Sequence, residues 1–232
     1  MSNSPVVLIL GSGPRVGTAV SDAFAANGYK VAIAARKGTD SKTDKGYLSL
    51  KADFNKPDSL PALFEAVKKS FGSAPSIIVY NAAALTPPPD KDSALSITVG
   101  AFADNLNVNV VSPYAAAQEA IKGWSTLPAG GSKLFIYTGN AQNQMIIPMP
   151  MMLNLGVGKA ASAHWIGFAD GAYKAQGYRF IYADERNADG KMKGMELDGP
   201  THGEFYTQLA KSTDGIPWEA TFVKGKGYVS FK

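Results

Sequence analysis

Five apolar residues that run straight into a glycine-rich turn constrain this chain more than any other feature. Val6-Val7-Leu8-Ile9-Leu10 leads into Gly11-Ser12-Gly13-Pro14-Arg15-Val16-Gly17. An unbroken apolar run of that length reads as a parallel strand covered on both faces. The glycines let the backbone turn tightly and bring the N-terminus of the next helix, with its free N–H groups, against a pyrophosphate. That helix is expected over 15–27. Val16, Ala19, Val20, Ala23 and Phe24 face inward, and Asn27-Gly28 closes it. Gly11, Gly13, Arg15, Val16 and Gly17 are the candidate contacts to the nucleotide.

The same alternation continues along the chain. Strands are expected at 30–35, 47–52, 76–80, 133–138 and 178–183, with a last edge strand at 220–223. Helices are expected at 57–71, over most of 93–122, at 151–176 and at 201–211. This spacing predicts a Rossmann-like α/β fold, a doubly wound parallel sheet, with 1–232 as one nucleotide-binding domain. Residues 184–200, rich in Asp, Gly and Lys, form the one long irregular stretch. It falls after the sixth strand, so 184–212 is expected to act as a lid over a substrate.

Composition narrows the function classes. With 45% hydrophobic and 18% charged residues, the chain can bury a sizeable core. The net charge of +4 is scattered, and no Lys/Arg run exceeds Lys68-Lys69, so a nucleic-acid partner is not expected. The absence of cysteine excludes disulfide and thiolate chemistry and fits a reducing compartment. The N-terminus lacks the charged start of a signal peptide. Residues 134–158 carry no charge, yet they include Asn140, Gln142, Asn143, Gln144, Asn154 and two prolines, which a lipid-embedded helix would not tolerate. A cytoplasmic protein with no membrane partner and no metal site is the expectation.

Further residues fall at telling places. Arg36 and Lys37 follow the second strand, where a carboxylate would select NAD; a cation pair there favours the 2′-phosphate of NADP. Asp53 follows the third strand, Asn81-Ala82-Ala83 closes the fourth, and Asn109 lies in the helix after it. Lys159 heads Lys159-Ala160-Ala161-Ser162-Ala163. Together with Gly11 and Gly17, these residues resemble the short-chain dehydrogenase/reductase family over residues 5 to about 183. The resemblance implies NADP(H) held by Gly11, Gly13, Arg15, Val16, Gly17, Arg36, Lys37, Asp53, Asn81, Ala82 and Lys159. It also implies a catalytic Asn-Ser-Tyr-Lys tetrad and a homodimer or homotetramer built on the 93–122 and 151–176 helices.

The chain departs from the family pattern where the chemistry should be. Leu155 stands at the tyrosine position, four residues before Lys159, and a leucine has no proton to transfer. Gly139 stands at the serine position. Leu10 replaces the usual threonine of the nucleotide turn. Arg15 replaces its middle glycine, which implies a reshaped loop and offers a guanidinium to a phosphate. Thr138 and Asn140, with Gln142 and Asn143 nearby, are the polar groups left to polarise a substrate oxygen. Lys159, Asn109 and Thr138 are therefore the candidate catalytic residues. Tyr182, Asp184 and Glu185 are the candidates to replace the missing acid, ahead of Tyr137 and His164, which read as packing or interface residues. The Met-rich run Ile146 to Leu153 suits either an apolar substrate or a buried contact. The sequence thus points to an atypical NADP-dependent oxidoreductase acting on a small apolar carbonyl or alcohol. A non-redox enzyme (isomerase, lyase or cyclase) and a silent NADP-binding protein are the alternatives.

Overall fold

The computed structural model describes residues 4–231. Its elements are β1 (Val6–Leu10), α1 (Val16–Ala26), β2 (Lys30–Ala35), β3 (Ser41–Lys42), β4 (Leu48–Lys51), α2 (Leu60–Phe71), β5 (Ile77–Tyr80), α3 (Val99–Leu106), α4 (Ser112–Trp124), β6 (Lys133–Thr138), α5 (Leu153–Tyr173), β7 (Tyr178–Arg186), α6 (Gly199–Lys211), β8 (Glu219–Val223) and β9 (Gly227–Tyr228). The strands form one sheet in the order β3-β4-β2-β1-β5-β6-β7-β8-β9. The inner seven pair in parallel, and β3 and β9 are short antiparallel additions at the two edges. Neither edge strand is legible in the sequence, because two residues are too few to show an alternation. The strand expected at 220–223 is therefore not the outermost one; β9 covers it.

The apolar runs are buried on both faces, as their lack of alternation requires. On one face Leu8, Leu10, Tyr80, Tyr137 and Tyr182 pack under α2, α4 and α5. On the other, Val7, Ile9, Ile136 and Ile181 pack under α1 and α6. Helix α6 lies close against α1 because of two glycines. A Cβ on Gly199 would stand 2.7 Å from the Arg15 carbonyl oxygen, and one on Gly203 would stand 2.9 Å from the Ala23 Cβ. Strand β7 runs three residues beyond its expected end, so Asp184, Glu185 and Arg186 are paired with β8 and buried. Of the stretch 184–212, the first three residues are thus sheet and Gly199–Lys211 is a packed helix; residues 187–198 connect them.

Candidate active site

The glycine-rich turn crosses the end of the sheet, where the Gly11 and Ser12 N–H groups both donate to the Ala34 carbonyl. Gly11 has φ of 100°, and a Cβ there would lie 2.3 Å from the Ala82 nitrogen. Only glycine fits such a backbone at such a distance. Asn81 closes the contact from β5 by donating from Nδ2 to the Gly11 carbonyl at 2.9 Å. A Cβ on Gly17 would strike Ser12 at 2.6 Å, whereas around Gly13 nothing lies within 4 Å. The turn is thus tight on the protein side and open at Gly13. Helix α1 starts there with no side-chain cap and no acidic residue in its first turn, so its N-terminal dipole faces outward uncompensated. These features fit a diphosphate.

Arg15 keeps φ at −100°, so the loop does not need the glycine-only angle at this position. Its guanidinium Nη1 donates to the Met195 carbonyl oxygen at 2.6 Å. Arg36 and Lys37 are exposed where β2 ends, and Asp53 is exposed after β4. Val16 is buried under the sheet.

The second half of the site surrounds Lys159. Residues Asn107–Val111 form a π-helical turn between α3 and α4, a distortion often found at functional positions. Pro113 lies four residues after Asn109 and has no N–H to offer its carbonyl. That oxygen accepts instead from the Tyr137 hydroxyl at 2.9 Å and the Ser162 hydroxyl at 2.7 Å. The Asn109 side chain clamps Ala84, accepting from its N–H at 2.9 Å and donating to its carbonyl at 2.8 Å. Helix α5 can approach this turn because of Gly158, where a Cβ would stand 2.6 Å from that of Asn109. This approach carries Lys159 inward. Its ammonium donates to the Thr138 carbonyl at 2.7 Å and sits 4.5 Å from the centre of the Tyr137 ring. Lys159 is only 4% exposed. Burial pushes its pKa down to about 7, against a smaller upward pull from Asp184.

Lys159, Asn109 and Thr138 are therefore brought together, although not all through side chains. The Thr138 hydroxyl accepts from Tyr206 of α6 at 3.0 Å, across the sheet from Lys159. Leu155, half-buried one turn before Lys159, adds no polar atom. At Gly139 a Cβ would meet the Tyr182 ring at 2.2 Å. That ring fills the space of any residue-139 side chain, and its hydroxyl bonds both the carbonyl (2.8 Å) and the N–H (3.0 Å) of Asn140. Asn140 and Gln142 bond each other, and Asn143 bonds Glu219.

Known proteins resemble this chain in sequence and in fold. A family model described as Enoyl-(Acyl carrier protein) reductase matches residues 14–166. A short chain dehydrogenase/reductase from Cryptosporiopsis sp. (strain 8999) is 38% identical over 239 residues, covering 99% of this chain and 96% of that protein. The chain belongs to the short-chain dehydrogenase/reductase family. Among solved structures, a metagenomic short-chain oxidoreductase in complex with NADP superposes with a TM-score of 0.77 at 14% identity, over 96% of this chain and 99% of that one. A 3-ketoacyl-(acyl-carrier-protein) reductase from Brucella melitensis complexed with NADH gives 0.78 at 20% identity, over 95% and 97%.

Several residues of the site carry no mark in the sequence. Tyr80, Tyr137 and Tyr182 occupy matched positions on β5, β6 and β7, and their rings stack at 5.8 Å and 5.6 Å. The spacing of Asn109 and Pro113 is the one signal that foretells the free carbonyl. Among the candidates for the missing acid, His164 is exposed on α5. Burial raises the pKa of Tyr137, of Tyr182 and of Tyr206 above the usual phenol value.

Proposed function

We propose that the whole chain is one NADP(H)-binding unit working as an atypical oxidoreductase on a small, apolar carbonyl or alcohol. The observation that carries this reading is the pairing of an open, uncapped nucleotide turn at Gly13, after β1, with a buried lysine at the end of β6, two strands along the sheet. When bound, the nicotinamide supplies the hydride. Gly11, Gly13, Val16 and Gly17 hold the diphosphate, with Arg15 within reach of it. Arg36 and Lys37 face the 2′-phosphate, Asp53, Asn81 and Ala82 line the adenine side, and Lys159 holds the ribose. Exposed Ile146, Met149 and Met151 supply an apolar wall for the substrate. Among the described residues no helix is long and apolar enough to cross a membrane.

The test is titration of the protein by tryptophan fluorescence. NADPH should bind more tightly than NADH by roughly 10-fold or more, since a hydrogen bond to a charged group contributes about 1.5–3 kcal/mol. Lys159→Ala should weaken NADPH binding. Equal affinity for both nucleotides would remove the NADP assignment, and no affinity for either would remove the oxidoreductase reading. The filled space beside Gly139 favours a second reading, a non-redox or silent NADP-binding protein. Tight NADPH binding without oxidation across a broad carbonyl panel would move the conclusion there.

A further inference from the structure

Residues 187–198, between β7 and α6, form a strap that is fixed at both ends. At its start, Arg186 Nη1 donates to the Gly190 carbonyl at 3.0 Å, and Asn187 Nδ2 donates to the Met192 carbonyl at 3.1 Å. At its end, Asp198 caps α6 by accepting the Thr201 N–H at 2.9 Å and pairs with Lys224 at 2.7 Å. The Asp198 N–H donates to Glu185 Oε2 at 2.8 Å. The middle of the strap is held from the nucleotide turn: Arg15 Nη1 donates to the Met195 carbonyl at 2.6 Å. Met195 is 76% exposed, so its side chain adds little packing to that tie.

A second tie to the strap stops short. Glu185 is a fully buried carboxylate whose Oε1 has no hydrogen-bond partner. Lys193 Nζ stands 3.7 Å away, close enough for an ion pair and too far for a hydrogen bond. A buried acceptor without a donor is costly, and the donor that can complete it is carried by the strap. An inward shift of roughly 1 Å brings the ammonium to hydrogen-bond distance.

Arg15 has donors left for another partner. A guanidinium carries five N–H groups in a planar fork, and the Met195 carbonyl takes one. The side chain is exposed at the residue preceding α1, beside the open backbone of Gly13 and the uncapped helix N-terminus. A diphosphate seated on that N-terminus presents its oxygens to the same fork, where charge-assisted bonds are strong.

We propose that Arg15 is a clasp: its guanidinium binds the diphosphate of a nucleotide while holding the Met195 carbonyl, which draws the strap onto the nucleotide and Lys193 onto Glu185. This rests on the nucleotide-binding reading. Coupling between two sites is reciprocal, so the strap tightens the nucleotide by the factor with which the nucleotide steadies the strap.

The experiment measures hydrogen exchange of the 187–198 amides by mass spectrometry, with and without saturating NADPH. Exchange in wild type should slow by about 10-fold, the low end for one hydrogen bond to a charged group. The probe 2′-AMP, which has the adenine side and the 2′-phosphate but no diphosphate, should leave the strap unchanged. Arg15 is exposed and its side chain caps nothing, so its variants should keep the fold. Arg15→Ala should bind NADPH about 10-fold more weakly, and its strap should exchange at one rate with or without NADPH. Arg15→Lys keeps the charge and loses the fork; it should lose less affinity than Arg15→Ala and still lose the strap protection. NADPH bound by wild type with strap exchange unchanged overturns the clasp alone, as does protection that survives in either variant. Protection by 2′-AMP equal to that by NADPH does the same. No binding of NADPH by wild type removes the nucleotide-binding reading and the clasp with it.

Discussion

At the scale of single residues, the exchange between positions 139 and 182 decides what the site can be. A Cβ on Gly139 would lie 2.2 Å from a ring that is fully buried and held by two bonds to Asn140. Such a ring cannot step aside as the end of a flexible chain would. Gly139→Ser should therefore destabilise by about 3 kcal/mol, the top of the usual overpacking range. In thermal melts, Gly139→Ser combined with Tyr182→Ala should cost at least about 1 kcal/mol less than the two changes summed. Additive costs would mean that the ring is not what excludes the serine. Leu155, by contrast, is only half-buried. Leu155→Tyr should raise NADPH oxidation with activated ketones about 10²-fold, the low end for a general acid, because residue 139 supplies no second hydroxyl. No gain, with NADPH still bound, would favour the non-redox or silent reading.

At the scale of elements, most of the scaffold was legible because its signals are local. The apolar strands, the glycine turn and the 153–173 helix follow from period and punctuation over a few residues. Missed features depend on partners distant in sequence. The two-residue edge strands exist through pairing alone, and β7 extends to Arg186 because β8 meets it there. The Asn109–Tyr137–Ser162 knot joins three elements through one carbonyl. Lys159 was legible as a site residue, but Asp184 appeared only beside Tyr182 and Glu185 at a strand end, with no sign of its bond to Arg186. Helix α5 also shows what packing within one chain leaves over. Val157, Ala160, His164 and Phe168 form an exposed stripe at helical spacing, with Phe168 74% exposed. On α4, Tyr114 is half exposed and packs edge-on against Trp165. A homodimer or homotetramer would cover this stripe by two-fold contact. Light scattering should give an oligomer for the native chain and a smaller mass for Phe168→Asp. A native monomer at micromolar concentration would rule this assembly out.

For the whole molecule, buried ionisable groups pull stability in opposite directions on the acid side. His202 is fully buried between Tyr206 and Phe222, and burial pushes its pKa down to about 4. As pH falls from about 6.5 to 4, the unfolded chain takes up that proton before the folded one, so stability is lost. Asp184 works the other way: its folded pKa of about 6 lies above the ordinary 3.8, so acidification over the same interval adds stability. Burial raises the Glu185 pKa as well, in the same direction as Asp184. The two contributions offset each other in the native chain, and removing Asp184 exposes the histidine. Between pH 7 and pH 4.5, Asp184→Asn should therefore lose more Tm than the wild type does. The extra loss should be about 5 °C, taking roughly 2 kcal/mol for the missing carboxyl and 2–4 °C per kcal/mol for a domain of this size. Lys159 acts on the alkaline side: with its pKa at about 7 in the fold, stability should rise from pH 7 towards pH 10. Parallel acid-side losses in the two proteins would show that Asp184 ionises in the fold as it does in the open chain.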